Sequence, residues 1–190
     1  MKIIGITGKA RAGKDTLATV IKQACLIEQM SVVHRRFADP IKNAYHAIFG
    51  GTHPEKMTSQ EKEAQTAFGF SPRKAMQTLG TEWGRGLNKD LWIKLMEQEI
   101  KAAEKCGVRI FVISDLRFDN EAEMVRKYNG IVIDVKRSDT QAVEAHSSED
   151  GLSDPADIVI WNDGSVEDLE NLFALEMEAH IDAVKKTFAF

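Results

Sequence analysis

The sequence predicts an α/β domain built around a parallel sheet, and three observations predict it. Five short β-branched or apolar runs, Lys2 to Thr7, Val32 to Phe37, Arg109 to Ser114, Ile131 to Lys136 and Asp157 to Trp161, alternate with longer helical patterns. That is the alternation of βαβ units. A stretch rich in glycine and lysine, Gly8-Lys-Ala-Arg-Ala-Gly-Lys-Asp-Thr16, joins the first run to the first helical pattern. About seventy residues separate the second run from the third, far more than one crossover needs, so extra structure is inserted there.

The first run is apolar through Ile3, Ile4, Gly5 and Ile6 and leads straight into the glycine stretch. Gly8 and Gly13 stand at the G-x-x-x-x-G-K spacing, so backbone N–H groups can wrap a polyphosphate while Lys14 reaches its β and γ oxygens. The helix predicted from Lys14 to about Met30 then points its positive N-terminal end at the anion. Where the motif has a magnesium-binding hydroxyl the chain has Asp15, and a hydroxyl follows at Thr16. The plainer reading, a turn that binds nothing, is disfavoured by the strand before it and the helix after it. Within the insertion, Gly50-Gly51-Thr52-His53-Pro54 is a break, and the polar stretch from Glu55 to Thr66 is expected to be a solvated helix or a mobile segment. Pro72, after Ser71, makes a clean helix start. A helix from Lys89 to about Cys106 follows the capping candidate Asn88 and puts Ile93, Met96, Ile100 and Ala103 on one face. The last helix opens on Ser165-Val-Glu-Asp168, a capping-box pattern, and is expected to bury Leu169, Leu172, Phe173 and Met177. No internal repeat or low-complexity tract interrupts the chain.

At 190 residues the chain suits a single domain. Its 43% hydrophobic and 28% charged content is ordinary for a globular protein. A net charge of −4 gives no global positive field to draw it to nucleic acid or an anionic membrane, so phosphate affinity must be local. Cys25 and Cys106 lack C-x-x-C spacing and read as small core residues in a reducing compartment rather than a disulfide or zinc site. His34, His46, His53, His146 and His180 are scattered without metal-site spacing. The start leaves no room for a removable signal, and no apolar run reaches membrane-spanning length. The expected place of work is the cytoplasm.

The third run ends in Ser114 and Asp115. A carboxylate at the end of a buried strand beside a phosphate loop is a magnesium position, usually through a water, and Arg117 can swing into the same crevice. Alone, a strand-ending Asp is often a turn residue. Arg73 and Gln77, one turn apart, can present a guanidinium and an amide to a second anion and a base. The competing reading is an exposed polar pair with Trp83 and Trp92 in the core. An acceptor phosphate, largely dianionic near neutrality, needs cations rather than a general base. Lys14, Arg11, Arg73, Arg117 and Arg137 supply them. An alcohol acceptor would need a base, for which Asp115 is the obvious candidate.

Seven blocks then carry a resemblance. Gly8 to Thr16 with its Gly-Lys-Asp-Thr ending, Ala38-Asp39-Pro40-Ile41-Lys42, Met76 to Glu82, Asp90-Leu91-Trp92, Ser114 to Glu121, His146-Ser147-Ser148-Glu149 and Asn162 to Ser165 together resemble the phage-type deoxynucleoside monophosphate kinases. The blocks keep that family's order and span nearly the whole chain. The resemblance implies a P-loop NTPase fold of the nucleoside-monophosphate-kinase type, with a five-stranded parallel sheet flanked by helices. It implies a core of residues 1–37 and 105–190, an inserted acceptor-binding region at 38–104 and a short lid at about 137–152. ATP would lie on Lys9, Arg11, Ala12, Gly13, Lys14, Asp15 and Thr16, with Arg137 beside it and Asn162 near the adenine. The acceptor would meet Lys42, Arg73, Gln77, Gly80, Thr81, Trp92, Asp115, Arg117 and Glu121, with Trp92 as a pocket wall able to stack on the base. His146 would be a hydrogen-bonding group that fixes the lid.

The expectation is transfer of the γ-phosphoryl group from MgATP to a deoxynucleoside monophosphate. Lys14, Arg117, Asp115 and Arg73 are the catalytic set, and Asp15 and Asp115 flank the magnesium, directly or through water. The partners expected are these two nucleotides, with no nucleic acid polymer and no membrane, and a monomer or a homodimer is open to the chain. Two alternatives stay open. A small-metabolite kinase of the phosphomevalonate kinase type shares a Gly-Lys-Asp loop and a Ser-Asp-x-Arg strand end, and a nucleotide-dependent switch or ATPase would hydrolyse slowly with no stimulation by a monophosphate.

Overall fold

The computed structural model describes residues 1–138 and 152–188, with side chains through residue 179. In chain order the strands are β1 (Lys2–Thr7), β2 (Val32–Arg35), β3 (Ile110–Ile113), β4 (Ile131–Lys136) and β5 (Ile158–Trp161). The helices are α1 (Lys14–Ile27), α2 (Ala38–Phe49), α3 (Ser59–Glu63), α4 (Pro72–Gln77), α5 (Leu91–Lys105), α6 (Asp119–Lys127) and α7 (Val166–Phe188), and a π-helical turn, Thr78–Arg85, continues from α4. The fold is that of the P-loop kinases.

The chain divides into two compact units, one of Met1–Arg35 with Ile100–Phe190, the other of Arg36–Glu99. The first unit holds the sheet, five strands in the order β2-β3-β1-β4-β5, every pair parallel. A parallel sheet carries helices on both faces, so its strands read as nearly continuous apolar runs. On one face Ile4, Ile6, Val112, Ile133, Val135, Ile158 and Ile160 pack with Leu17, Ala18, Ile21 and Cys25 of α1 and Leu169 of α7. On the other face the space at Gly5 is closed by Leu116 and by Val125 of α6. A Cβ there would lie 2.8 Å from Leu116 Cδ2 and 3.0 Å from Val125 Cγ2, so a side chain at Gly5 would crowd both.

Helix ends follow local chemistry. Ser165 and Asp168 cap α7 reciprocally, the Asp168 N–H donating to Ser165 Oγ and the Ser165 N–H to Asp168 Oδ2. In the second unit, Thr58 and Glu61 form the capping box of α3, and Ser71 Oγ accepts from the Lys74 N–H at the start of α4 with Pro72 in its first turn. Ile93, Met96, Ile100 and Ala103 of α5 are buried as their spacing predicts.

Several sequence expectations are corrected. Strand β2 stops at Arg35, because Phe37 takes helical backbone angles and leads into α2. Helix α1 ends at Ile27 rather than near Met30, with Gln29 in the left-handed region. Of the polar stretch from Glu55 to Thr66 only Ser59–Glu63 is helical. Leu172 is 37% exposed, because the buried stripe of α7 runs Leu169, Phe173, Met177 at i+4 steps and leaves Leu172 at its edge. Cys25 is buried, but Cys106, at the foot of α5, is exposed. Trp83 is exposed, so it is no core residue. Among the described residues, no helix is long and apolar enough to cross a membrane.

Candidate active site

Strand β1 ends in Thr7, whose hydroxyl donates to the Leu116 carbonyl, while the Leu116 N–H donates back to the Ile6 carbonyl. These bonds tie the start of the phosphate loop to the turn after β3. Gly8 has φ +137° and no room for a side chain: a Cβ would lie 2.3 Å from the Val135 carbonyl oxygen. Gly13 has φ +105°, and Arg11 between them is itself left-handed at φ 64°. A non-glycine residue in that region is strained, as functional loops often are. The loop closes on itself through the Ala12 N–H to the Lys9 carbonyl, and α1 begins with the Leu17 N–H on the Gly13 carbonyl.

Lys14 folds back over this loop. Its Nζ donates to the carbonyl oxygens of Gly8 at 2.7 Å and Lys9 at 2.8 Å. These two bonds hold the half-buried lysine's ammonium against the loop backbone. Lys9 and Arg11 are exposed, Ala12 is buried, and Thr16 is half-buried on the first turn of α1. Asn162, expected near an adenine, is 7% exposed, and its Nδ2 donates to the Ala12 carbonyl at 2.8 Å. A Cβ on Gly13 would meet that amide at 2.1 Å. The Asn162 side chain therefore braces the loop backbone.

Asp15 is exposed in the first turn of α1, where the N-cap is Gly13 with no side-chain cap. Its Oδ1 accepts from the Ser114 hydroxyl at 3.0 Å, and Ser114 Oγ lies 2.7 Å from His34 Nε2. Asp115, half-buried, follows Ser114 directly. Glu121, expected among the acceptor ligands, is 3% exposed, and its Oε2 accepts from the backbone N–H groups of Arg117 and Phe118. Its carboxylate fixes the loop that carries Arg117. Arg117 lines a cavity of ≈ 620 Å³ that reaches Thr7, Gly8, Lys9, Asp134 and Arg137. Ser138, beside Arg137, donates through its N–H and its hydroxyl to the Asp163 carboxylate, and these bonds hold Asp163 below the ordinary carboxylate range. Apart from Arg137, Ser138 and Leu152, the expected lid at about 137–152, His146 included, lies outside the described residues.

The remaining expected residues lie in the second unit. Lys42 joins a balanced cluster, 3.8 Å from Asp39 and 3.5 Å from Glu55, with Arg36 paired to both carboxylates. Burial pushes the Glu55 carboxyl up, but the Arg36 and Lys42 charges beside it carry it below its ordinary value. The Arg73 guanidinium pairs with Glu63. Gln77 is half-buried at the end of α4, and the π-helical turn runs on from it through Gly80 and Thr81. Trp92, expected to offer its face to a base, is only 8% exposed. Its indole N–H donates to the Gly80 carbonyl at 2.7 Å, and a Cβ on Gly84 would lie 2.4 Å from its ring. Trp92 thus packs under the π-helical turn and fixes its shape. π-Helical turns are uncommon and often functional.

His34 carries no local sequence signal for a site, and nothing in the sequence pairs it with Ser114. They meet because β2 pairs with β3, His34 opposite Val112, which puts His34 and Ser114 on one face of the sheet.

Comparison with known proteins adds the family context. The model of the deoxynucleotide monophosphate kinase family matches residues 55–172. A candidate deoxynucleotide monophosphate kinase of Acanthamoeba polyphaga mimivirus is 30% identical over 190 residues, covering 88% of this chain and 92% of the relative. The deoxynucleoside-5'-monophosphate kinase of Escherichia phage T5 is 26% identical over 70% of this chain and 74% of its own. Among solved structures, the Mycobacterium tuberculosis APS kinase in complex with AMPPNP and APS matches with a TM-score of 0.52 at 12% identity, covering 93% of this chain and 97% of that one. That likeness is one of fold.

Proposed function

We infer that this chain, which belongs to the deoxynucleotide monophosphate kinase family, transfers the γ-phosphoryl group of ATP to the phosphate of a deoxynucleoside monophosphate, giving ADP and the deoxynucleoside diphosphate. The observation that carries the donor side is the Lys14 ammonium resting on the Gly8 and Lys9 carbonyls. With the cation in place before the nucleotide arrives, β and γ oxygens can take over from the carbonyls with little reorganisation. Arg11 and Arg137 add charge on the donor side, and Asn162 acts through the loop it braces.

The oxygen donors at the first turn of α1 and the end of β3, Asp15, Thr16 and Asp115, fit a hard divalent ion. Magnesium brought by the nucleotide keeps most of its waters and takes few protein carboxylates. Asp15 and Asp115 would hold it. When bound it would neutralise charge on the β and γ oxygens. Arg117, carried on the loop that Glu121 fixes, neutralises charge on the transferring group.

On the acceptor side we assign Arg73 to the monophosphate, and Gln77 and Thr81 to the nucleoside. Gly80 and Trp92 shape the turn they stand on, and Lys42 contributes positive charge nearby. No base is needed, because the acceptor oxygen is already anionic. The proposed place of work is the cytoplasm. A coupled ADP-release assay across deoxynucleoside and ribonucleoside monophosphates, with phosphomevalonate included, tests the assignment. Stimulation by one or more deoxynucleoside monophosphates is expected. Stimulation by phosphomevalonate alone, or slow hydrolysis indifferent to every monophosphate, would overturn it.

A further inference from the structure

Asp15 stands where the phosphate-loop motif has a hydroxyl, and the structure brings a hydroxyl to it from another strand. Ser114, 1% exposed at the end of β3, donates its single proton to Asp15 Oδ1. The 2.7 Å contact between Ser114 Oγ and His34 Nε2 is then one in which the imidazole donates, so Nε2 carries a proton. The hydrogen bonds run in one direction, from the edge strand β2 through β3 to the first turn of α1. One partner, His34, would satisfy a buried serine hydroxyl. The string instead continues to an exposed carboxylate on the phosphate loop.

We propose that His34 and Ser114 are positioning residues that hold the Asp15 carboxylate in the orientation in which it serves the nucleotide's divalent cation. The proposal rests on the reading of Asp15 as a metal-side carboxylate. Ordering an exposed carboxylate at each binding event weakens binding. Anchoring Oδ1 to a buried hydroxyl, itself fixed by a ring, completes that ordering during folding.

The test compares His34→Leu, Ser114→Ala, His34→Gln, which keeps an N–H donor, and Asp15→Asn as reference. Three quantities are read: Mn2+ affinity of the enzyme–ADP complex by electron paramagnetic resonance, ADP affinity in the presence of a chelator, and melting temperature without ligand. Loss of one hydrogen bond predicts roughly fivefold weaker Mn2+ binding in His34→Leu and Ser114→Ala. Metal-free ADP affinity should be unchanged, and His34→Gln should recover most of the loss. If His34→Leu fails to fold, Ser114→Ala and His34→Gln carry the comparison. Unchanged Mn2+ affinity in both Leu and Ala variants overturns the proposal. So does an equal loss in metal-free ADP binding, which marks a purely structural strap. Where Asp15→Asn alone weakens Mn2+ binding, the metal reading stands and the positioning role fails; where even Asp15→Asn has no effect, both fail.

Discussion

The role proposed for Lys14 in the chemistry can be separated from any part it plays in folding. Its bonds go to two carbonyls of a loop already shaped by Gly8, Gly13 and Asn162. Lys14→Met should therefore keep the melting temperature within a few degrees and nearly abolish ADP release; near-normal turnover would remove the phosphate-loop assignment. Arg73 is the proposed counterpart on the acceptor side. Its partner Glu63 is half exposed, and exposed ion pairs add little stability, so the pair can open to admit a phosphate. Loss of a charge-assisted hydrogen bond costs about 1.5 to 3 kcal/mol, so Arg73→Ala should raise the acceptor KM roughly ten- to a hundredfold. Glu63→Gln, which removes the competing anion, should lower it. An acceptor KM indifferent to both changes would exclude Arg73 from the acceptor site. Arg117→Ala should instead act mainly on kcat.

At the scale of the element, the π-helical turn Thr78–Arg85 and the start of α5 form one piece. Gly80 and Gly84 face the buried Trp92 at four-residue spacing, one through its carbonyl and the other through the space its missing side chain leaves. Gly84→Ala puts a methyl 2.4 Å from the Trp92 ring, where packed indole cannot easily move away. Overpacking of this kind costs about 1 to 3 kcal/mol. The variant should melt earlier and, because Gln77 precedes this turn and Thr81 lies within it, show a raised acceptor KM with ATP binding intact. A variant that melts like the parent would mean the turn yields freely. Trp92→Phe, which lacks the N–H, should cost about 1 kcal/mol through the lost bond to Gly80.

For the molecule as a whole, pH dependence follows from its carboxylates. Asp119, Asp163 and Asp168 are held below their ordinary value of 3.8 by hydrogen bonds from Ser153, Ser138 and Ser165, and Glu61 below 4.5 by bonds from Thr58. A depressed folded-state pKa contributes stability that is present above the unfolded value and lost as pH falls through the folded one. The melting temperature should thus be level near neutrality and fall once pH drops below about 4. Asp168→Asn should lower the neutral plateau and shallow the acid slope, and an unaltered slope would deny Asp168 its share. The sequence by itself determined the local parts: the phosphate loop, the strand and helix alternation, the caps at Ser71 and Ser165, the buried face of α5. Each depends on backbone angles or periodicity within a few residues, and the ordered blocks that resemble the kinases are likewise local. What only the tertiary structure decided is which distant side chains meet. Asn162 braces Ala12 from 150 residues away, and His34 reaches Asp15 through Ser114 because β3 lies between β2 and β1. Strand order and register set those meetings, and no spacing along the chain encodes them. For the same reason the contacts of Trp92 with the Gly80 carbonyl and of Glu121 with the Arg117 and Phe118 N–H groups could not be read from the sequence.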